Sequence, residues 1–112
     1  MVWTALEVAE RLKKLNYTAE VINLHTIKPI DTKAIINSAS KTKKVISIEE
    51  HQVHGGMGSA IAEVLIQNYP VKMKIIGMPD TFGESGKPEE LLKKYKLDSD
   101  SILEKCIDLI NE

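Results

Sequence analysis

The sequence predicts an α/β domain in three layers, α/β/α, around a mainly parallel sheet. Apolar residues at helical spacing alternate along the chain with short runs of alternating or β-branched residues, and turn-forming residues separate the two kinds of segment. Strands that alternate with helices favour a layered fold with right-handed crossovers. At 112 residues the chain is long enough for one core and too short for two, so residues 1–112 read as a single domain.

In the first helix, about Thr4 to Asn16, Ala5, Leu6, Val8, Ala9, Leu12 and Leu15 form one face, and Glu7, Glu10, Arg11, Lys13 and Lys14 the other. Residues 19–24 alternate and then turn apolar, as a short strand does, ahead of a turn-like stretch with Pro29. Asp31 is placed to cap a second helix over about Thr32 to Lys41. Val45 to Ile48 is a β-branched run between lysine and glutamate pairs and reads as the second strand. A third helix over residues 59–66 is apolar on nearly all sides and stops before Pro70. Residues 71–76 alternate apolar side chains with Lys72 and Lys74, as a half-solvated edge strand does. A loop over residues 78–86 leads to a short helix opened by Pro88 and running to about Tyr95. The last helix is capped by Asp98 or Ser99, with Ser101 and Glu104 as an alternative capping box, and ends near Ile110. One element is missing from this series: helix one has the pattern of a crossover helix, yet Met1 to Trp3 is too short for a strand before it.

Bulk properties narrow the functional classes. The chain is 43% hydrophobic and 28% charged, with a net charge of −1 and both signs interspersed. Such a surface carries no electrostatic footprint for nucleic acid or for an anionic membrane. The longest apolar runs are a few residues, far short of a membrane span. Cys106 is the single cysteine; this excludes an intrachain disulfide, permits a reducing compartment such as the cytoplasm, and reads as a buried, inert thiol on a helix face. Trp3 reads as a packing residue. His25, His51 and His54 lack the spacing and the cysteine companions of a zinc site.

Candidates for anion binding or interface contacts are Glu49, Glu50, His51, His54, Gly55, Gly56, Gly58 and Ser59. Glu49, Glu50 and His51 follow a strand at its carboxyl end, where open α/β sheets place ligands. Adjacent residues of an extended segment point to opposite sides, so interface or capping roles fit them better than a shared acid–base site. The glycines lead into a helix whose first amides attract anions, and the segment reads either as a phosphate cradle or as a tight strand-to-helix turn. Its spacing is neither a P-loop nor a dinucleotide fingerprint, and the turn is the default.

Three segments in order carry a family resemblance: Val21 to Asp31 (VINLHTIKPID), Ile48 to Ser59 (IEEHQVHGGMGS) and Gly77 to Leu92 (GMPDTFGESGKPEELL). Together they resemble the C-terminal domain shared by transketolases, 1-deoxyxylulose-5-phosphate synthases and the β subunits of 2-oxo-acid dehydrogenases. The stretch from Phe82 to Gly86 is most similar to transketolase. The resemblance implies a noncatalytic domain of an enzyme moving two-carbon ketol units between sugar phosphates. It implies thiamine diphosphate and magnesium in the complete enzyme, held mainly by two preceding domains at subunit interfaces, with no cofactor on this chain. The expected partners are those cofactor-binding domains, or a subunit carrying them, in a homo-oligomer. A central strand between those at 19–24 and 45–48 is also implied, so the first central strand is expected to be missing here. The rival reading is a self-contained α/β module holding a phosphate or nucleotide at Gly55 to Ser59.

Overall fold

The computed structural model describes residues 2–24, 30–52, 56–78 and 96–112. Among them the order is α1 (Val2–Lys14), α2 (Thr32–Thr42), β1 (Lys44–Gln52), α3 (Met57–Asn68), β2 (Lys72–Met78) and α4 (Ser99–Ile110). The loop and short helix expected over residues 79–95 lie outside the described residues.

Local chemistry sets the helix ends. Helix α1 closes two residues earlier than its apolar pattern suggests, because Asn16 adopts a left-handed conformation (φ 68°). The Tyr17 amide donates to the Leu12 carbonyl and the Asn16 amide to that of Lys13, the paired bonds that use up free carbonyls at a helix end. Asp31 caps α2 as expected, its Oδ1 accepting from the Ala34 amide at 3.1 Å. Of the alternatives at α4, Asp98 is the cap: it accepts from the Ser101 amide at 3.3 Å and from the Ser101 hydroxyl at 2.7 Å. Helix α3 ends at Tyr69, just before Pro70.

Strands β1 and β2 pair in parallel, from Lys44 opposite Lys72 to Ile48 opposite Ile76. Alternation along β1 then divides the core in two. Ile46 and Ile48 pack on the layer built from α1 and α4, with buried Val8, Leu12, Leu97, Ile102 and Leu103. Val45 packs on the layer built from α2 and α3, with Ile35, Ala39, Ile61 and Leu65. Among the described residues, two helices per face give the three layers. Each fully buried leucine or isoleucine contributes about 1.5–3 kcal/mol, so these two clusters outweigh the exposed ion pair of Arg11 with Asp100 at 2.6 Å that also joins α1 to α4.

Lys44 adds a polar tie between the sheet and the last helix. It stands opposite Lys72, but its Nζ turns away and donates to the carbonyls of Leu109 at 2.8 Å, Ile110 at 2.6 Å and Glu112 at 3.4 Å. A cation is favoured there, because a helix C-terminus concentrates unpaired carbonyls.

Three expectations are corrected. Residues 19–24 form no strand: among the described residues the sheet is two-stranded, and Ala19 to Asn23 run exposed without regular structure. The alternating pattern suits a strand, but a strand needs a neighbour to take its backbone donors and acceptors, and β1 is not paired with this segment. Trp3 is 85% exposed, so it does not pack within this chain. Cys106 is half-buried rather than enclosed, although burial does push its thiol above the ordinary value.

Candidate functional site

The residues singled out at the carboxyl end of the second strand lie on and just after a break in the ladder. From Ile48 to Gln52 β1 advances four residues while β2 advances two, from Ile76 to Met78. Such an irregularity interrupts simple alternation and re-aims side chains at a sheet rim. Glu49, Glu50 and His51 occupy this stretch; His54 and Gly55 lie outside the described residues.

Glu49 has a defined task. Helix α3 opens at Gly56, which has no side chain to cap it. The carboxylate of Glu49 stands in, its Oε2 accepting from the Met57 amide at 2.9 Å and its Oε1 lying 3.5 Å from the Gly58 amide. These are two of the orphan donors that begin any helix, and a carboxylate is well suited to them on charge as well as geometry. The strand-to-helix turn is thus clasped by a residue eight positions upstream. An external anion at these amides would have to displace a tethered carboxylate.

Gly58 explains why the glycines matter. A Cβ on it would lie 2.6 Å from Ile75 Cγ2 and 2.6 Å from Ser47 Oγ, inside any real contact distance. The first turn of α3 therefore sits directly on the sheet, an approach open only to a residue without a side chain. Ser59, in the same turn, is half-buried. Ser47 is 3% exposed, and its Oγ has no hydrogen-bond partner. Of the candidate residues, Glu49 and Gly58 are brought together in one contact, with Gly56 at the cap position beside them. The capping role of Glu49 had one readable signal: a helix led by Gly-Met-Gly with no Ser, Thr, Asp or Asn before it, and a glutamate pair just upstream. Among the described residues, no group of three or more His, Cys, Asp or Glu is placed to hold a metal ion, and no helix is long and apolar enough to cross a membrane.

Comparison with known proteins agrees with this architecture. The pattern of the family described as transketolase, C-terminal domain, matches residues 1–102. A 6-deoxy-6-sulfo-D-fructose transketolase subunit of Clostridium sp. (strain MSTE9) is 44% identical over 92% of this chain and 32% of its own length. The 1-deoxy-D-xylulose-5-phosphate synthase of Halothermothrix orenii is 39% identical over 99% of this chain and 18% of its own. A solved structure, a split gene transketolase described as an inactive beta4 tetramer, superposes with a TM-score of 0.87 at 40% identity, over 96% of this chain and 36% of that one. The chain thus spans a third or less of the length of these two curated relatives. Pattern, sequence and fold coincide, and the chain belongs to the transketolase C-terminal domain family.

Proposed function

We propose that this chain is the noncatalytic C-terminal domain of a cytoplasmic, thiamine-diphosphate-dependent transketolase, which transfers two-carbon ketol units between sugar phosphates, and that it serves domain packing and assembly of a homo-oligomer. The observation carrying this reading is the match itself: nearly the whole chain aligns with about a third of a transketolase subunit, 32% of its length. Thiamine diphosphate and magnesium belong to the remainder of such an enzyme. The described residues do not fit the diphosphate, since the one strand-to-helix turn among the candidates has its leading amides held by Glu49. No step of the reaction is therefore assigned to this chain. Its partners are the cofactor-binding domains or a subunit that carries them. The names of the relatives support this, since one is a transketolase subunit and the structural neighbour is a split gene transketolase.

A deoxyxylulose-phosphate synthase is the second reading, favoured by the 39% identity across 99% of the chain. The 44% identity to a transketolase subunit supports the first reading. Calorimetric titration of the chain with thiamine diphosphate and magnesium, followed by a ketol-transfer assay on sugar phosphates, tests the noncatalytic assignment. Neither heat of binding nor turnover is expected; micromolar affinity or turnover overturns it.

A further inference from the structure

The two helix layers differ sharply in charge. At nearly equal length, α1 and α4 carry nine charged side chains, whereas α2 and α3 carry three: Lys33, Lys41 and Glu63. All three are exposed. Among them the layer shows water neutral side chains, with Asn37 and Gln67 exposed and Ile66 at 73% exposure. One isoleucine in water needs no explanation. A shortage of charge across a whole layer does, because a helix face that meets only solvent is ordinarily charged, and loss of charge marks the centre of a protein contact.

The three charges specify what the layer faces. Helices α2 and α3 lie side by side on one face of the sheet and share the core of Ile35, Ala39, Ile61 and Leu65. Both charges on α2 are positive, and the one on α3 is negative. The layer is therefore complementary to itself. A two-fold axis through the seam between the helices lays each α3 over the other copy's α2, and the opposite charges meet twice, once from each copy. Stacking α2 on α2 would instead set lysines against lysines. Lys33 and Lys41 stand about 12 Å apart along their helix, which leaves room for a carboxylate between them. Lys41 also reaches Glu20 at 3.6 Å, a partly exposed pair of small worth that does not hold it back.

We propose that the outer face of α2 and α3 is an interaction surface for a second copy of this chain, with Glu63 of each copy set between Lys33 and Lys41 of the other. It rests on the homo-oligomer proposed above and names the face that the copies share. The layer measures roughly 18 Å by 20 Å, from helices of 11 and 12 residues packed about 10 Å apart. That is small beside the ~800 Å² per partner of a standard interface, so this contact by itself is weak and reversible.

Sedimentation equilibrium of the chain is the test, carried to roughly millimolar protein because a contact of this size is weak. The unmutated chain is expected to pass from monomer to dimer within that range. Glu63→Lys, and separately Lys33→Glu with Lys41→Glu, oppose like charges, and each is expected to raise the dimer dissociation constant about tenfold or more. All three side chains are exposed, so their replacement leaves the core intact. Mixed in equal amounts, the two variants are expected to regain association as a heterodimer, because every charge contact between them is again of opposite sign. A chain that stays monomeric at the highest concentration overturns the proposal. So do variants that associate as the unmutated chain does, or a mixture that fails to recover. None of these results touches the noncatalytic reading, which the titration with thiamine diphosphate decides separately.

Discussion

At the scale of single residues, the turn after β1 is held by two complementary devices, a carboxylate that reaches forward and a glycine that leaves room. Gly58→Ala tests the second. Added volume in a packed site costs about 1–3 kcal/mol, whereas alanine in place of glycine regains up to about 1 kcal/mol of helix propensity. With two contacts at 2.6 Å, one to β-branched Ile75, the clash outweighs the gain and the melting temperature falls. Combining it with Ser47→Ala should restore part of the loss by removing one of the two clashes; no recovery in thermal melts would mean that the strain resides wholly against Ile75. Sequence inspection finds the glycines and assigns them to a tight turn. It does not find which neighbour demands each one, because Ser47 and Ile75 are brought beside Gly58 only by the parallel pairing of two strands.

Elements were legible in proportion to how locally they are determined. Helix caps act within three residues, so Asp31 was readable from the sequence and Asp98 was among the caps it offered for the last helix. The polar stretch from Glu49 to Gln52 extends β1 beyond its β-branched run, because pairing with β2 continues past the register break. Residues 19–24 fail in the opposite direction. Their alternation is that of a strand, and Val21 and Ile22 are 37% and 41% exposed, yet pattern alone supplies no partner for their backbone. Strand propensity measures fitness for a pleated, half-buried surface, and such a surface exists only when a neighbour is present.

For the molecule as a whole, the proposed assembly role extends to the candidate site. Glu50 and His51 lie in the irregular part of β1, at the carboxyl end of the sheet, next to a turn whose own amides are already satisfied. In the complete enzyme, Glu50→Ala or His51→Ala is expected to weaken domain or subunit association, or to raise KM modestly, while the chemical step survives. Loss of a general acid or base would lower turnover by about a hundredfold or more. Sedimentation and single-turnover kinetics on the same variants separate the two cases: a normal oligomer with chemistry slowed on that scale would make these residues catalytic. How far the whole was readable follows the same division. Family, layers and most helices follow from the sequence, whereas which segments pair into the sheet does not.

Lys44 bears on time rather than on equilibrium alone. Its ammonium joins the start of β1 to carbonyls 65 to 68 residues later, so the bond cannot form until the end of α4 has docked beside β1. Contacts that depend on late docking are absent from the folding transition state and act on the unfolding rate. Lys44→Met keeps the apolar stem and removes the charge at the end of α4, a loss of about 1–2 kcal/mol for a partly buried cation at a helix C-terminus. In stopped-flow measurements nearly all of that loss is expected in faster unfolding, with the refolding arm unmoved. A variant that instead refolds slowly would place the joining of the chain's two halves before the barrier. Otherwise this one ammonium works as a latch, closing last and setting how long the domain, once folded, stays shut.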